Sequence, residues 1–366
     1  MTTDVDISFA DSKNDIKRKI EAGGYSTLVD VVLDKGIGAV LQKLTRTKAK
    51  VSFWTSSLVV LCVTLLIGIV ISALNGEFST TNPKAIYFTV WLGGMGFLWI
   101  VCAKIGYNLL LNAVGKGVID HIALDADFKD IQKKLIALSN TKLQTLLSVF
   151  LGLIALAWPF IWNKVGIPFL GFGPTTVLVL IWLQTGPGVY MFILYLGLAI
   201  GLNRYQFAIQ TVDARSSEVI EYLSAMFNGI LLIGSAILAA FTIGLAFFQF
   251  LSIQLYIVWV LGGWGILLLM FFNNQYILAG IIKRHKQKIL REIQIRIHSL
   301  ETDNNIGDKE TLESINRLLD YYDRIEKMPN SALQIGEIFR LIQALLLPII
   351  TALLSGIKQV IELFSK

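Results

Sequence analysis

Residues 53–74 read FWTSSLVVLCVTLLIGIVISAL and contain no charged side chain. An α-helix of this length is about 33 Å long, which matches the roughly 30 Å hydrocarbon core of a bilayer. Backbone in lipid has to satisfy its own hydrogen bonds, so an uninterrupted apolar run of this length predicts a membrane-spanning helix.

The rest of the chain has the same character. Of its 366 residues 54% are hydrophobic and 16% are charged, whereas a soluble domain usually carries about 25% charge. Apolar runs long enough to span lie at 53–74, 86–110, 144–162, 176–202, 227–250 and 255–281. The sequence therefore predicts an all-α, polytopic helical membrane protein. Its transmembrane domain, 53–281, holds six transmembrane helices as three hairpins: 53–110, 144–202 and 227–281.

Basic residues predict the orientation of these spans. Twenty-eight of the 32 Lys and Arg residues lie in 1–52, 104–143, 203–226 and 282–340, which would all face one side. By the positive-inside rule that side is cytoplasmic, and so is the N-terminal amphipathic region, 1–52.

No signal peptide is expected, and compact loops suit a bacterial inner membrane. The net charge of +6 is explained by these flanks, so the expected partner is the lipid bilayer and no nucleic acid is expected.

The fourth span contains an irregular stretch. Gly186, Pro187 and Gly188 follow Gln184 and Thr185, and a proline inside a helix removes a backbone hydrogen bond. Two arrangements remain open: 176–202 is one kinked crossing, or residues near 167–184 form a re-entrant segment and 187–210 cross. These five residues are candidates for a kink or for the lining of a pore.

The second and sixth spans share the pattern Leu-Gly-Gly-x-Gly at a constant offset of 169 residues. Small residues allow membrane helices to approach closely. The pattern predicts an internal repeat by hairpin duplication, with helix-packing sites at Gly93, Gly94, Gly96, Gly262, Gly263 and Gly265.

Helical spacing of apolar residues also predicts two amphipathic helices along the membrane surface, at 25–45 and 118–137. The first stripe is Leu28, Val32, Val40 and Leu44, and the second is Ile119, Ile122, Phe128, Ile131 and Leu135.

The sequence after the sixth span predicts a cytoplasmic helical hairpin, 282–338. Its second helix places Leu312, Ile315, Leu319 and Tyr322 at a/d-like spacing, which makes these residues candidates for binding a partner. The apolar tail, 339–366, contains Pro348 and is read as a re-entrant segment, an interfacial segment or a seventh span.

Residues for chemistry are sparse. The three histidines are isolated, the two cysteines fall inside predicted spans, and no catalytic motif is found, so no cofactor and no metal site are expected. The predicted spans contain no Asp, Glu, Arg or His, and Lys104 lies near an interface, which disfavours ion-coupled transport.

These observations favour a non-enzymatic membrane anchor, scaffold or assembly component whose cytoplasmic hairpin binds a protein partner, or which associates with itself. A passive channel or pore that uses Gly186–Gly188 is the alternative. A membrane enzyme with a catalytic group near Asp120–Asp130 is the second alternative.

Overall fold

The computed structural model describes residues 3–46, 51–77, 83–164, 171–209, 213–248, 253–303 and 309–330. Within these ranges the ordered elements are helices, and an isolated β-bridge joins Ile122 to Phe207. The predicted all-α class is confirmed. The predicted tail, 339–366, lies outside the described residues.

The helices are named in chain order. They are α1 (Thr3–Glu21), α2 (residues 28–45, comprising Leu28–Asp30, a π-helical Val31–Gly38 and Ala39–Thr45), α3 (Phe53–Leu74), α4 (Pro83–Asn112, continued by a π-helical Ala113–Val118 and Ile119–His121), α5 (Asp125–Leu138), α6 (Thr141–Lys164), α7 (Phe172–Leu202), α8 (Glu218–Phe248), α9 (Ile253–Asp303) and α10 (Lys309–Lys327).

Among the described residues, five helical stretches are long and apolar enough to cross a membrane: Phe53–Leu74, Ile86–His121, Phe172–Leu202, Glu218–Gly244 and Leu261–Thr302. A sixth is counted if Asp125–Leu138 and Thr141–Ala157, which meet at a bend of 52°, form one span. The predicted apolar runs fall on α3, α4, α6, α7, α8 and α9, so hydropathy located the helices correctly.

Side-chain caps mark where two of these helices begin. The Ser52 hydroxyl accepts a hydrogen bond from the Thr55 N–H at 3.2 Å, which satisfies one of the free donors at the start of α3. The Glu77 carboxylate accepts from the N–H groups of Phe172 and Gly173 at the start of α7. A carboxylate at a helix N-terminus is also favoured by the helix dipole. Glu77 therefore connects the end of α3 to the start of α7.

The central helix of the bundle is α7, which packs against α3, α4 and α6. Gly68 of α3 faces Val177, and Gly152 of α6 faces Leu183. On the other side α8 packs against α4 and α9. The Tyr195 hydroxyl donates to Asn274 Oδ1 at 2.7 Å, which joins α7 to α9 inside the core.

One end of the bundle is closed by α1, α4's last turns and α5. The apolar residues predicted as a lipid-facing stripe in 118–137 are instead fully buried in the main core: Ile119, Ile122, Phe128, Ile131 and Leu135. They share that core with Ile16 of α1 and Val219 and Leu223 of α8. The expectation of a surface helix there is corrected, because this apolar face is covered by protein.

Polar contacts hold the same end together. Lys17 pairs with Asp120 at 2.5 Å, and Lys13 donates to the Ile122 carbonyl at 2.8 Å. The buried Gln144 side chain accepts from the Leu28 N–H at 2.7 Å and donates to the Leu138 carbonyl at 2.8 Å. These bonds join α1 to the end of α4, and they join α2 and α5 to α6.

Candidate functional site

The last part of α9 extends beyond the bundle as a helical stalk. Ile281 and Ile282 are still buried in the main core, and from Lys283 onward the sequence becomes strongly charged while the helix continues without a break. The helix has 51 residues, a length of about 76 Å. Its last 21 residues, 283–303, amount to about 32 Å of stalk.

The second helix, α10, packs back along this stalk. Lys286 Nζ donates to the carbonyl of Glu326 at 2.6 Å and to that of Met328 at 2.8 Å. Farther along, Gln294 donates to the Tyr322 hydroxyl at 3.2 Å. Residue numbers that increase along α9 therefore pair with numbers that decrease along α10, so the two helices run antiparallel as a hairpin. We call residues 283–330 the stalk hairpin.

The buried seam of α10 differs from the predicted one by a shift in register. Thr311 and Ile325 are buried, and Ile315, Leu318 and Tyr322 are half-buried. Ile315 and Tyr322 therefore lie in the seam, as their spacing suggested. Leu312 and Leu319, in contrast, are 44% and 47% exposed and lie to one side of this stripe, roughly a quarter turn around the helix. Sequence reasoning missed Thr311, Leu318 and Ile325, although their spacing with Ile315 and Tyr322 is a regular helical stripe.

Leu312 and Leu319 are exposed apolar residues on α10, a helix rich in charged residues. Leu312 and Leu319 are seven residues apart and so lie on one face of α10. Glu313, Asp320 and Asp323 are exposed nearby in sequence. The two leucines therefore form a small exposed apolar patch on a helix whose other exposed residues are mostly charged.

The region around Pro187 is a continuous helix. The sequence left open one kinked helix over 176–202 or a re-entrant segment near 167–184. In the structure α7 continues through Pro187 as a single helix. Trp99 Nε1 donates to the Thr185 carbonyl at 3.1 Å, and Gln184 donates to the Thr64 hydroxyl at 3.1 Å. Neighbouring helices thus supply polar contacts where proline weakens the helical hydrogen bonding.

The glycines beside Pro187 are closely covered. A Cβ placed on Gly186 would lie 2.1 Å from Ser148 Oγ and 2.5 Å from Ser148 Cα. A Cβ placed on Gly188 would lie 2.6 Å from Trp99 Nε1. Helices α6 and α4 therefore approach the backbone of α7 directly.

The repeated glycines do not share the same surroundings. A Cβ on Gly93 would lie 2.5 Å from Leu65 Cδ2, one on Gly96 would lie 2.9 Å from Gln184 Oε1, and one on Gly263 would lie 2.5 Å from Leu238 Cδ1. Within the described residues, nothing lies within 4 Å of a Cβ on Gly94, Gly262 or Gly265. In each matched pair only one glycine meets a neighbour, so the packing contacts of the two spans are not equivalent.

The acidic stretch Asp120–Asp130 is used for internal contacts. Asp127 accepts from the Gln206 N–H at 2.9 Å, and Asp130 accepts from Lys134 at 2.8 Å and from the Tyr205 hydroxyl. The hydrogen bonds from Lys134 and Tyr205 hold the pKa of Asp130 below its usual range. Burial, followed by the bond to Asp130, raises the pKa of Tyr205. The described part of the chain holds no group of three or more His, Cys, Asp or Glu residues placed to bind a metal.

No protein-family model, curated protein or solved structure matches this chain.

Proposed function

We propose that the chain is an integral membrane anchor or assembly scaffold that holds the stalk hairpin on the cytoplasmic side for a protein partner. In this proposal six helices, α3, α4, α6, α7, α8 and α9, cross a bacterial inner membrane as three hairpins. The N-terminal region then faces the cytoplasm. The stalk hairpin provides Leu312 and Leu319 as the apolar centre of a partner-binding surface.

The contacts at the two ends of the bundle support this topology. Segments assigned to the cytoplasmic side contact one another: Leu28 bonds to Gln144, the His121 carbonyl accepts from the Ala208 N–H, and Arg284 bonds to Asn203. Segments assigned to the outer side meet at the other end, where Glu77 caps α7. Alternating crossings would place these segments in the same way.

The observation that carries the proposed role is the continuity of α9. One helix passes from the buried core at Ile281 into the stalk without a turn, and α10 braces it through Lys286. A braced helix holds a binding surface at a fixed distance from the bundle, which suits an assembly component better than a catalyst.

Substitution of the exposed Leu312 and Leu319 tests this role. We expect Leu312→Ser with Leu319→Ser to reduce the mass of the complex purified in mild detergent and to remove its partner protein or second copy. The matched control is Glu310→Ser with Arg317→Ser, which changes two exposed residues of the same helix. A complex of the same mass and composition in both variants and in the unmodified protein would contradict the proposal.

A further inference from the structure

Helix α2 has two apolar faces, and only one of them is covered by protein. Val29 and Leu33 are buried against Ile100, with Phe53 and Val60 packed around them. On another face Val32, Val40 and Leu44 are 45%, 55% and 74% exposed. Exposure of this kind on a helix that is already docked needs a separate physical reason.

The contacts of α2 define its level along the bundle. Val60 follows Phe53 by seven residues, which is about 10 Å along α3. Both residues pack against the cluster of Val29, Leu33 and Ile100, and the π-helical part of α2 packs against α3, so this helix lies beside the first turns of α3. Trp54 and Leu58, in the same two turns of α3, are also exposed. Exposed apolar residues of α2 and of α3 therefore lie at the same level of the bundle.

Basic residues without an ion-pair partner lie on α2 together with its exposed apolar residues. Lys35, Lys43 and Arg46 are exposed, and within the described residues none of them has an ion-pair or hydrogen-bond partner. Asp30, an acidic residue of the same helix, is already paired with Lys104. Basic side chains beside an apolar stripe can extend toward the headgroups while the stripe enters the acyl boundary.

We propose that α2 is an interfacial helix that inserts Val32, Val40 and Leu44 into the cytoplasmic leaflet and binds anionic lipid headgroups through Lys35, Lys43 and Arg46. The proposal rests on the proposed function, because it requires α3 to cross the membrane. A lipid surface fits better than a protein partner, since α3 also exposes apolar residues at this level and the free charges of α2 are all positive. The helix would make the anchor sensitive to the charge of its membrane.

Depth measurements separate the failure of this inference from the failure of the proposed function. In a variant with Cys62→Ala and Cys102→Ala, single changes Leu44→Cys, Leu66→Cys and Leu319→Cys carry a bimane fluorophore in liposomes with brominated phosphatidylcholine. Leu66 lies exposed in the middle of α3. We expect quenching at positions 44 and 66 and none at 319. Quenching at 66 but not at 44 would overturn the interfacial helix alone, and quenching at neither would overturn membrane insertion as well.

Charge variants test the headgroup preference. Each basic residue near an anionic surface gives about a fivefold gain in affinity, so Lys35→Gln, Lys43→Gln and Arg46→Gln together should weaken phosphatidylglycerol binding by about a hundredfold. Binding is measured by native mass spectrometry of protein in phosphatidylcholine nanodiscs with and without phosphatidylglycerol. The control, Arg296→Gln, Lys309→Gln and Arg317→Gln, removes the same charge from the stalk hairpin. Equal loss in both variants, or loss in neither, would overturn the proposal.

Discussion

The ammonium nitrogen of Lys104 lies 2.5 Å from Oδ1 of Asp30, so one ion pair joins α4 to the first turn of α2. Oδ2 of the same carboxylate accepts from the N–H and the hydroxyl of Thr27, both at 3.0 Å. Asp30 thus closes the capping box of α2 while it neutralises the lysine. Removing one partner would leave the other charge in a poorly solvated place.

We expect Lys104→Met to lower the free energy of unfolding by about 1–3 kcal/mol, less than for a fully buried pair. The double variant Asp30→Asn with Lys104→Met should lose less than the sum of the two single losses, because the pair is coupled. Thermal unfolding in detergent measures all three. Lys116→Met, at an exposed position of α4's continuation, is the control. Additive losses would show that the pair contributes no coupling.

Gly186→Ala should destabilise the bundle strongly, by about 1–3 kcal/mol or more, because the new methyl would meet the Ser148 backbone. Ser148→Ala should not restore stability, since the clash includes Ser148 Cα at 2.5 Å. Gly197→Ala serves as the matched control, because it lies in the same helix and a Cβ there meets no described residue within 4 Å. The readout is the unfolding temperature together with the monodisperse fraction. Equal behaviour of both alanine variants would contradict the close packing at Gly186.

Lys286→Met should loosen the stalk hairpin, because the two carbonyls at the end of α10 lose their donor. Hydrogen–deuterium exchange should then become faster in α10 while α7 stays unchanged. Lys288→Met is the control, as Lys288 is exposed and within the described residues makes no polar side-chain contact. Unchanged hydrogen–deuterium exchange in α10 would contradict a stabilising role of Lys286 in the stalk hairpin.

Acid should affect the Asp130 contact. The pKa of this carboxyl is held low by Lys134 and Tyr205, so its stabilising effect is present above the unfolded-state value of about 3.9 and is lost as the pH falls through the folded-state value. Between about pH 5 and pH 3 the unmodified protein should therefore lose more stability than Asp130→Asn does. Asp320→Asn, on the stalk hairpin, should lose as much as the unmodified protein. Identical pH profiles for all three proteins would contradict this assignment.

The pore alternative has a direct test at Gln184. In the cysteine-free variant, Gln184→Cys should stay unmodified by a water-soluble thiol reagent in liposomes, because the side chain bonds to Thr64 and the helix is closely packed. Leu319→Cys, which is exposed on α10, should react under the same conditions. Rapid modification at position 184 would indicate a water-filled path beside Pro187.

Hydropathy predicted the positions of the long helices because the length of an apolar run depends only on local sequence. It could not tell which face of a helix meets protein. The apolar stripe of Phe128, Ile131 and Leu135 is equally consistent with lipid and with a core, and only the packing of α7 against α5 decides. The stripe in α2 illustrates the same limit, since Val29 and Leu33, rather than Val32 and Val40, meet α3 and α4.

The candidate partner-binding residues were partly predictable. Spacing selected Leu312, Ile315, Leu319 and Tyr322 as candidates for binding a partner and left open what they contact. In the structure Ile315 and Tyr322 are half-buried on one stripe with the buried Thr311, whereas Leu312 and Leu319 are exposed, and partner binding by any of them stays a prediction. The shared glycine pattern was equally incomplete, because Gly96 meets α7 while its counterpart Gly265 meets nothing within 4 Å in the described residues.

The most direct test of the account is the side of the membrane on which the stalk hairpin lies. In the cysteine-free variant, Asn75→Cys and Arg296→Cys are exposed at opposite ends of the bundle. A membrane-impermeant maleimide is added to intact spheroplasts and, separately, to opened membranes. We expect label at position 75 in both and at position 296 only after opening. Labelling of position 296 in intact spheroplasts would contradict the cytoplasmic hairpin and the scaffold proposed from it.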